Sequence, residues 1–227
     1  MSKHSLYKYY SDQRWAEELL AGNLLFRSVA YFRNYEDNEV RGDQGEGIAV
    51  YRPEGGLVVN NLTQGISFTL LNHAFESSAN PEEIFVFCLS NSLTNKLWEK
   101  FKSVVCVEIL DIRKFCGRIE AALPAKATFP GLPERPRIGR RVSYYDETEG
   151  GNPRWALPDQ IATSKSDSYA WQDEFRLVFC LTDALAFEKV DLRIVQNTTG
   201  NTPKLVKYPD YTIKIGNLHD ICRLRKL

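Results

Sequence analysis

The sequence predicts an α+β fold: a single domain over residues 1–227, built on a mainly antiparallel mixed sheet with a few flanking helices. Three observations predict it. Short runs rich in β-branched and aromatic residues recur along the chain, separated by Gly, Pro, Asn and Asp. Few stretches carry the apolar spacing of a helix. The chain has 227 residues and 43% hydrophobic composition, enough to bury one substantial core.

Each element has its own justification. Leu6–Tyr10 is short and aromatic-rich, the composition of a strand, and Ser11 and Asp12 offer side-chain oxygens to cap a helix over residues 13–21. Trp15, Ala16, Leu19 and Leu20 form the apolar stripe of that helix, and Gly22 can take the left-handed conformation that ends it before a strand at 24–28. Residues 34–46 are dense in acids, Asn and Gly, which is loop chemistry. Strands at 48–51, 56–59 and 66–71 follow and suggest an antiparallel meander. Residues 84–89 are apolar on both alternating faces, as in a central strand. Residues 90–102 then carry Leu93, Leu97, Trp98 and Phe101 at helical spacing. A strand at 104–110 and a helix at 112–123 lead into a proline-rich, basic connection at 124–141 that is unsuited to helix. Strands at 142–145 and 173–181 close the core region, and short strands at 211–215 and 221–224 complete the sheet.

Composition narrows the function classes. Lys plus Arg and Asp plus Glu number 29 each, so no net field draws in nucleic acid or an anionic membrane from a distance. Contact with nucleic acid needs a local patch, for which Arg135, Arg137, Arg140 and Arg141, with Lys126 upstream, are the candidates against a plain solvated loop. The five cysteines are widely spaced and set in apolar surroundings, which predicts reduced core residues in a reducing, cytoplasmic compartment. The opening residues lack the apolar stretch of a signal peptide, and no apolar run reaches membrane-spanning length, so no membrane association is expected. His4, His73 and His219 have no acidic or cysteine partners at metal-ligand spacing.

The strongest chemical constellation lies between Lys165 and Arg176. Read as an extended segment, Trp171, Phe175, Leu177 and Phe179 share one face, while Gln172, Glu174 and Arg176 share the other with neighbours roughly 7 Å apart. That polar trio either grips a ligand or forms an ion pair on a solvated sheet face, the latter worth under about 1 kcal/mol. Glu36, Asp37, Asp43 and Glu46 offer a further possibility, a divalent-cation site of a metal-dependent nuclease.

Gln172-Asp173-Glu174 resembles the Gln-x-Glu signature of ADP-ribosyltransferases, and it follows Arg27-Ser28 and Ser67-Phe68-Thr69 in the order of the arginine-containing branch of that superfamily. The resemblance implies an ADP-ribosyltransferase-like fold and an NAD-consuming enzyme. Glu174 and Gln172 would be catalytic, with the glutamate stabilising the positive charge that develops as nicotinamide leaves. Arg27, Ser28, Ser67 and Thr69 would bind NAD as cofactor, with Lys8 or Tyr9 where the family carries arginine or histidine. Lys165, Trp171, Arg176 and Arg41 would bind substrate. Over residues 6–181 the chain also resembles an uncharacterised bacterial and prophage domain family found beside defence genes. That resemblance rests on Leu6-Tyr7-Lys8-Tyr9, Phe26-Arg27-Ser28, Phe87-Cys88-Leu89-Ser90 with Trp98, and Lys165, Trp171, Glu174 and Arg176. Together the two imply a toxin or antiphage defence effector. The alternative is a non-enzymatic sensor that binds a nucleotide, a nucleic-acid end or a phage protein.

Overall fold

The computed structural model describes residues 4–33, 45–131, 134–150, 153–196 and 208–226, and shows an α+β chain with mainly antiparallel sheets. It opens with β1 (Leu6–Tyr10), α1 (Gln13–Leu20), β2 (Asn23–Ser28) and a short α2 (Val29–Arg33). The Asp12 carboxylate accepts from the Arg14 N–H and so caps α1. Gly22, at φ +89°, ends the turn after α1 where a Cβ would lie 2.0 Å from the Gly216 carbonyl oxygen. Strands β3 (Ile48–Tyr51), β4 (Leu57–Asn61), β5 (Ile66–Leu70), β6 (His73–Ala79) and β7 (Ile84–Ser90) follow, then α3 (Asn95–Lys100), β8 (Val105–Ile109) and α4 (Ile112–Ala122). The remainder comprises β9 (Gly139–Arg141), β10 (Ser143–Tyr145), α5 (Pro158–Ala162), β11 (Ser164–Ser166), β12 (Glu174–Cys180), β13 (Val190–Gln196), β14 (Asp210–Lys214) and β15 (Cys222–Lys226). Among the described residues no helix is long and apolar enough to cross a membrane.

The apolar strand β7 is the axis of an eight-stranded sheet. On one edge it pairs along its whole length with β12, from Ser90↔Glu174 to Ile84↔Cys180, and β12 in turn carries β9. The other edge forks. β1 meets β7 only at Tyr7↔Ser90 and then diverges to pair fully with β8, while β2 meets β7 at Arg27↔Val86 and Ser28↔Phe85. Residues 87–89 of β7 therefore have no strand partner on that edge among the described residues. Across the fork Lys8 Nζ donates to the Cys88 carbonyl at 2.6 Å, supplying the hydrogen bond that a neighbouring strand would give. β14 extends the β2 arm and β15 the β8 arm.

Two apolar layers sandwich this sheet. One face packs Ala16, Leu19 and Leu20 of α1 and Phe115 and Ile119 of α4 against Phe26, Phe87, Val107 and Phe179. Each of the buried Leu, Ile, Val and Phe side chains contributes about 1.5–3 kcal/mol. The opposite face packs Val86 and Val178 against Val29, Trp155 and Ile161. It is this second face that also carries charge.

Several local expectations are corrected. The strands at 48–51, 56–59 and 66–71 do not form one meander: β3 pairs with β6, which also carries β13, and β4 and β5 form a separate two-stranded ribbon. β6 takes the edge that β4 was expected to hold. The helix expected over 90–102 spans only Asn95–Lys100, because Ser90 is still in the β7 ladder and Thr94 caps the helix by accepting from the Leu97 N–H. The strand expected from residue 173 begins at Glu174. Residues Asp167–Gln172 form a 3₁₀ helix and Asp173 turns the chain at φ +42°. Trp171 is therefore not on the apolar face of β12; it packs on Phe101 with Lys100 Nζ 4.4 Å from its ring centre.

Candidate functional site

Alternation along β12 puts Glu174 and Arg176 on one face, as the sequence predicts, but that face is not solvated. Gln172, Glu174 and Arg176 are 5%, 4% and 1% exposed, so the surface ion pair worth under about 1 kcal/mol is replaced by a buried network. Four elements converge there. β12 supplies Glu174 and Arg176, β11 supplies Lys165, the turn before β3 supplies Glu46, and the 3₁₀ turn supplies Gln172. Glu46 is held in place by Arg33, which donates to its backbone carbonyl at 2.8 and 3.1 Å.

Arg176 is saturated. Its Nε and Nη2 reach the two oxygens of Glu174 at 2.8 and 3.3 Å. Nη1 and Nη2 grip Glu46 at 2.5 and 2.8 Å, and Nη1 also donates to the Ala162 carbonyl at 2.7 Å. A guanidinium has five N–H donors, and these five bonds use them all. Lys165 Nζ bridges Glu174 at 3.0 Å, Glu46 at 3.4 Å and the Gln172 side-chain oxygen at 2.9 Å. Two carboxylates and two cations thus form a neutral quartet. Burial alone would raise the Glu174 carboxyl, but the Arg176 and Lys165 charges outweigh it and hold that group well below the usual carboxylate range. Burial likewise acts to lower the Arg176 guanidinium, and Glu174 and Glu46 overcome it and raise it further.

The quartet forms one wall of a cavity of about 650 Å³ at the fork of the sheet. Lys8, Tyr9, Arg27, Gln172, Glu174, Lys165 and Arg176 all line it, so most of the residues selected from sequence meet in one place. The register explains why: Arg27 faces Val86, Arg176 faces Cys88 and Glu174 faces Ser90, which puts their side chains on the same side of the sheet. Tyr7, Tyr10, Tyr31 and Phe87 contribute ring surface. The Arg27 guanidinium lies 4.4 Å from the Tyr31 ring centre and pairs with Asp210. Tyr9 uses its hydroxyl structurally, donating to Ser92 O at 2.8 Å and accepting from the Thr94 N–H at 3.3 Å; burial pushes that hydroxyl above its usual value. Burial also pushes the Cys88 thiol in the cavity wall up to about 12, with Glu174 adding to the rise.

Other selected residues lie elsewhere. Ser67 and Thr69 are exposed on the β4–β5 ribbon, with Ser67 bonded to Asn60, and neither lines the cavity. The Ser-x-Thr element is thus not brought to Glu174, because among the described residues β5 pairs only with β4. Ser28 is buried behind the strand, and its hydroxyl has no hydrogen-bond partner among the described residues. Trp171 does not line the cavity. Arg41 and the acids Glu36, Asp37 and Asp43 lie outside the described residues, while Glu46, their fourth companion, is committed to Arg176 and Lys165.

Sequence reasoning missed Glu46 as the partner of Arg176, from which it is separated by 130 positions, and missed Tyr31 altogether. The available signal was that Glu46, last of the acids in that loop, stands directly before Gly47 and the apolar strand entry Ile48, a place where an acid is either paired or expensive. Comparison with protein-family models, with curated proteins and with solved structures found no match for this chain.

Proposed function

We propose that the protein is a nucleotide-binding module whose ligand occupies the fork cavity. One observation carries the reading: the gap between β1 and β2 opens a cavity of about 650 Å³ in which ring faces from Tyr7, Tyr10, Tyr31 and Phe87 stand beside the cations Lys8 and Arg27. Sites for small ligands run roughly 300–1,000 Å³ and combine aromatic walls with a few placed charges. Rings suit a base or nicotinamide, and a guanidinium suits phosphate. The quartet acts as a rigid neutral wall, and Lys8 and Arg27, the latter paired with Asp210, bring cationic groups to the rest of the lining.

The test is calorimetric titration and thermal shift with AMP, ATP and NAD. A ligand at about 100 times its Kd stabilises by about 2.7 kcal/mol, and Arg27→Ala lowers affinity at least about tenfold while the protein stays folded. No shift with any of the three, from folded protein, overturns the reading.

The second reading, an NAD-consuming ADP-ribosyltransferase-like toxin or defence effector, is favoured by the presence of Arg27, Tyr9, Gln172 and Glu174 around one cavity. Against it stands the engagement of both Glu174 oxygens by Arg176 and Lys165. Turnover would require one of them to be released to the ribose. Release of nicotinamide from NAD, abolished in Glu174→Gln, selects this reading over simple binding.

A further inference from the structure

On the far side of β12 from the cavity lies a second recess, of about 390 Å³, lined by Gly131, Arg135, Arg137, Gly139, Arg140 and Arg141. Among the described residues every side chain that lines it is an arginine. We infer that this recess is a binding site for the phosphodiester backbone of a nucleic-acid strand, independent of whatever the fork cavity holds.

The arginines sit on a fixed frame. β9 pairs with β12 through Gly139↔Leu177, Arg140↔Arg176 and Arg141↔Phe175, and the Val178 N–H donates to the Ile138 carbonyl at 2.8 Å. The loop preceding β9 is closed by the Arg137 N–H, which donates to the Pro130 carbonyl at 2.9 Å. Gly131, at φ +113°, donates its N–H to Asp159 at 3.1 Å, and a Cβ there would come within 2.8 Å of an Arg140 nitrogen. Less ordering entropy is then lost on binding than from a free basic tail.

The charge is not cancelled locally. Asp159 pairs with Arg140 at 3.5 Å and Asp173 with Arg141 at 3.3 Å, whereas the Arg135 and Arg137 side chains have no ionic partner among the described residues. Guanidinium groups match phosphate oxygens in a planar two-point geometry that a lysine patch would not impose. Among the described residues the lining holds no aromatic side chain on which a base could stack, so the contacts it offers a strand are charge-assisted hydrogen bonds to phosphate oxygens. The chain has no net charge, so attraction arises from this patch and not from the whole protein.

The experiment is fluorescence anisotropy of a labelled single-stranded oligonucleotide over a salt series. The full-length protein is compared with Arg135→Ala/Arg137→Ala, with Arg135→Lys/Arg137→Lys, and with a control, Lys114→Ala/Arg193→Ala, that removes two exposed cations elsewhere. Binding falls steeply with salt. The double alanine variant binds at least about tenfold more weakly and its salt slope is lower by about 1.4, the loss of two strand phosphate contacts. The double lysine variant recovers part of the affinity and the control all of it. Absence of binding at low salt overturns the site, as does equal loss in the control. Inorganic phosphate or an acidic peptide competing as well as unlabelled oligonucleotide, charge for charge, also overturns it in favour of a general anion site.

Discussion

Arg176 and Arg140 are direct neighbours across the β12–β9 ladder, yet they are used in opposite ways. Arg176 is 1% exposed and spends all five donors on Glu46, Glu174 and a carbonyl. Arg140 is partly exposed in an open recess, paired with Asp159 at 3.5 Å and with three more arginines beside it. Two like charges directly opposite repel, and the pair is tolerated because each has its own counter-ion. The difference is one of desolvation. A buried guanidinium must be fully matched and becomes architecture, while an exposed one can remain available to a ligand.

The comparison breaks most readily at Arg176. Arg176→Ala leaves Glu46 and Glu174 buried with only Lys165, and a loss of about 3–5 kcal/mol is expected in chemical denaturation. If the loss stays under about 1 kcal/mol, the quartet is solvated in solution and the contrast fails. Lys165→Met is milder, about 1–3 kcal/mol, because Arg176 still holds both carboxylates. Acid gives the same information without mutation. The Glu174 carboxyl is held below its ordinary value of 4.5, so its stabilisation is complete above that pH and is lost as pH falls further. A denaturation series from pH 7 downward should show stability dropping below about pH 4.5, and Glu174→Gln should flatten that drop.

At the open neighbour the effects are smaller and appear in binding. Asp159→Asn should cost less than about 1 kcal/mol while raising oligonucleotide affinity, since it frees Arg140. An unchanged affinity would mean Arg140 takes no part. Smallest of all is the response of the buried thiols. Burial pushes Cys106 and Cys222 up to about 12, so neither should react measurably with a thiol reagent at pH 8 until the protein is unfolded.

Legibility of the fold followed local chemistry. β7 and the Leu177–Cys180 half of β12 stand out because strand segments buried on both faces are apolar on both, and α1 and α4 show their stripes. β6 is hidden because its buried Ser77 is satisfied by the Trp155 carbonyl and not by apolar packing. β9 is hidden in a proline-rich stretch and is a strand only because the edge of β12 offers it a ladder. Of the site, the Lys165, Glu174 and Arg176 cluster was legible from charges standing among apolar residues. Its fourth member was not, since nothing local links Glu46 to a strand 130 positions away.

By itself the sequence determined the α+β class, the apolar centre of the sheet and the face that Glu174 and Arg176 share, because strand alternation and burial act over a few neighbouring residues. The tertiary structure decided that this face is buried, that Glu46 neutralises it, and that β1 and β2 part around Cys88 to open a cavity beside it. Those outcomes depend on which distant segments meet, and pairing between strands is fixed by the whole core at once.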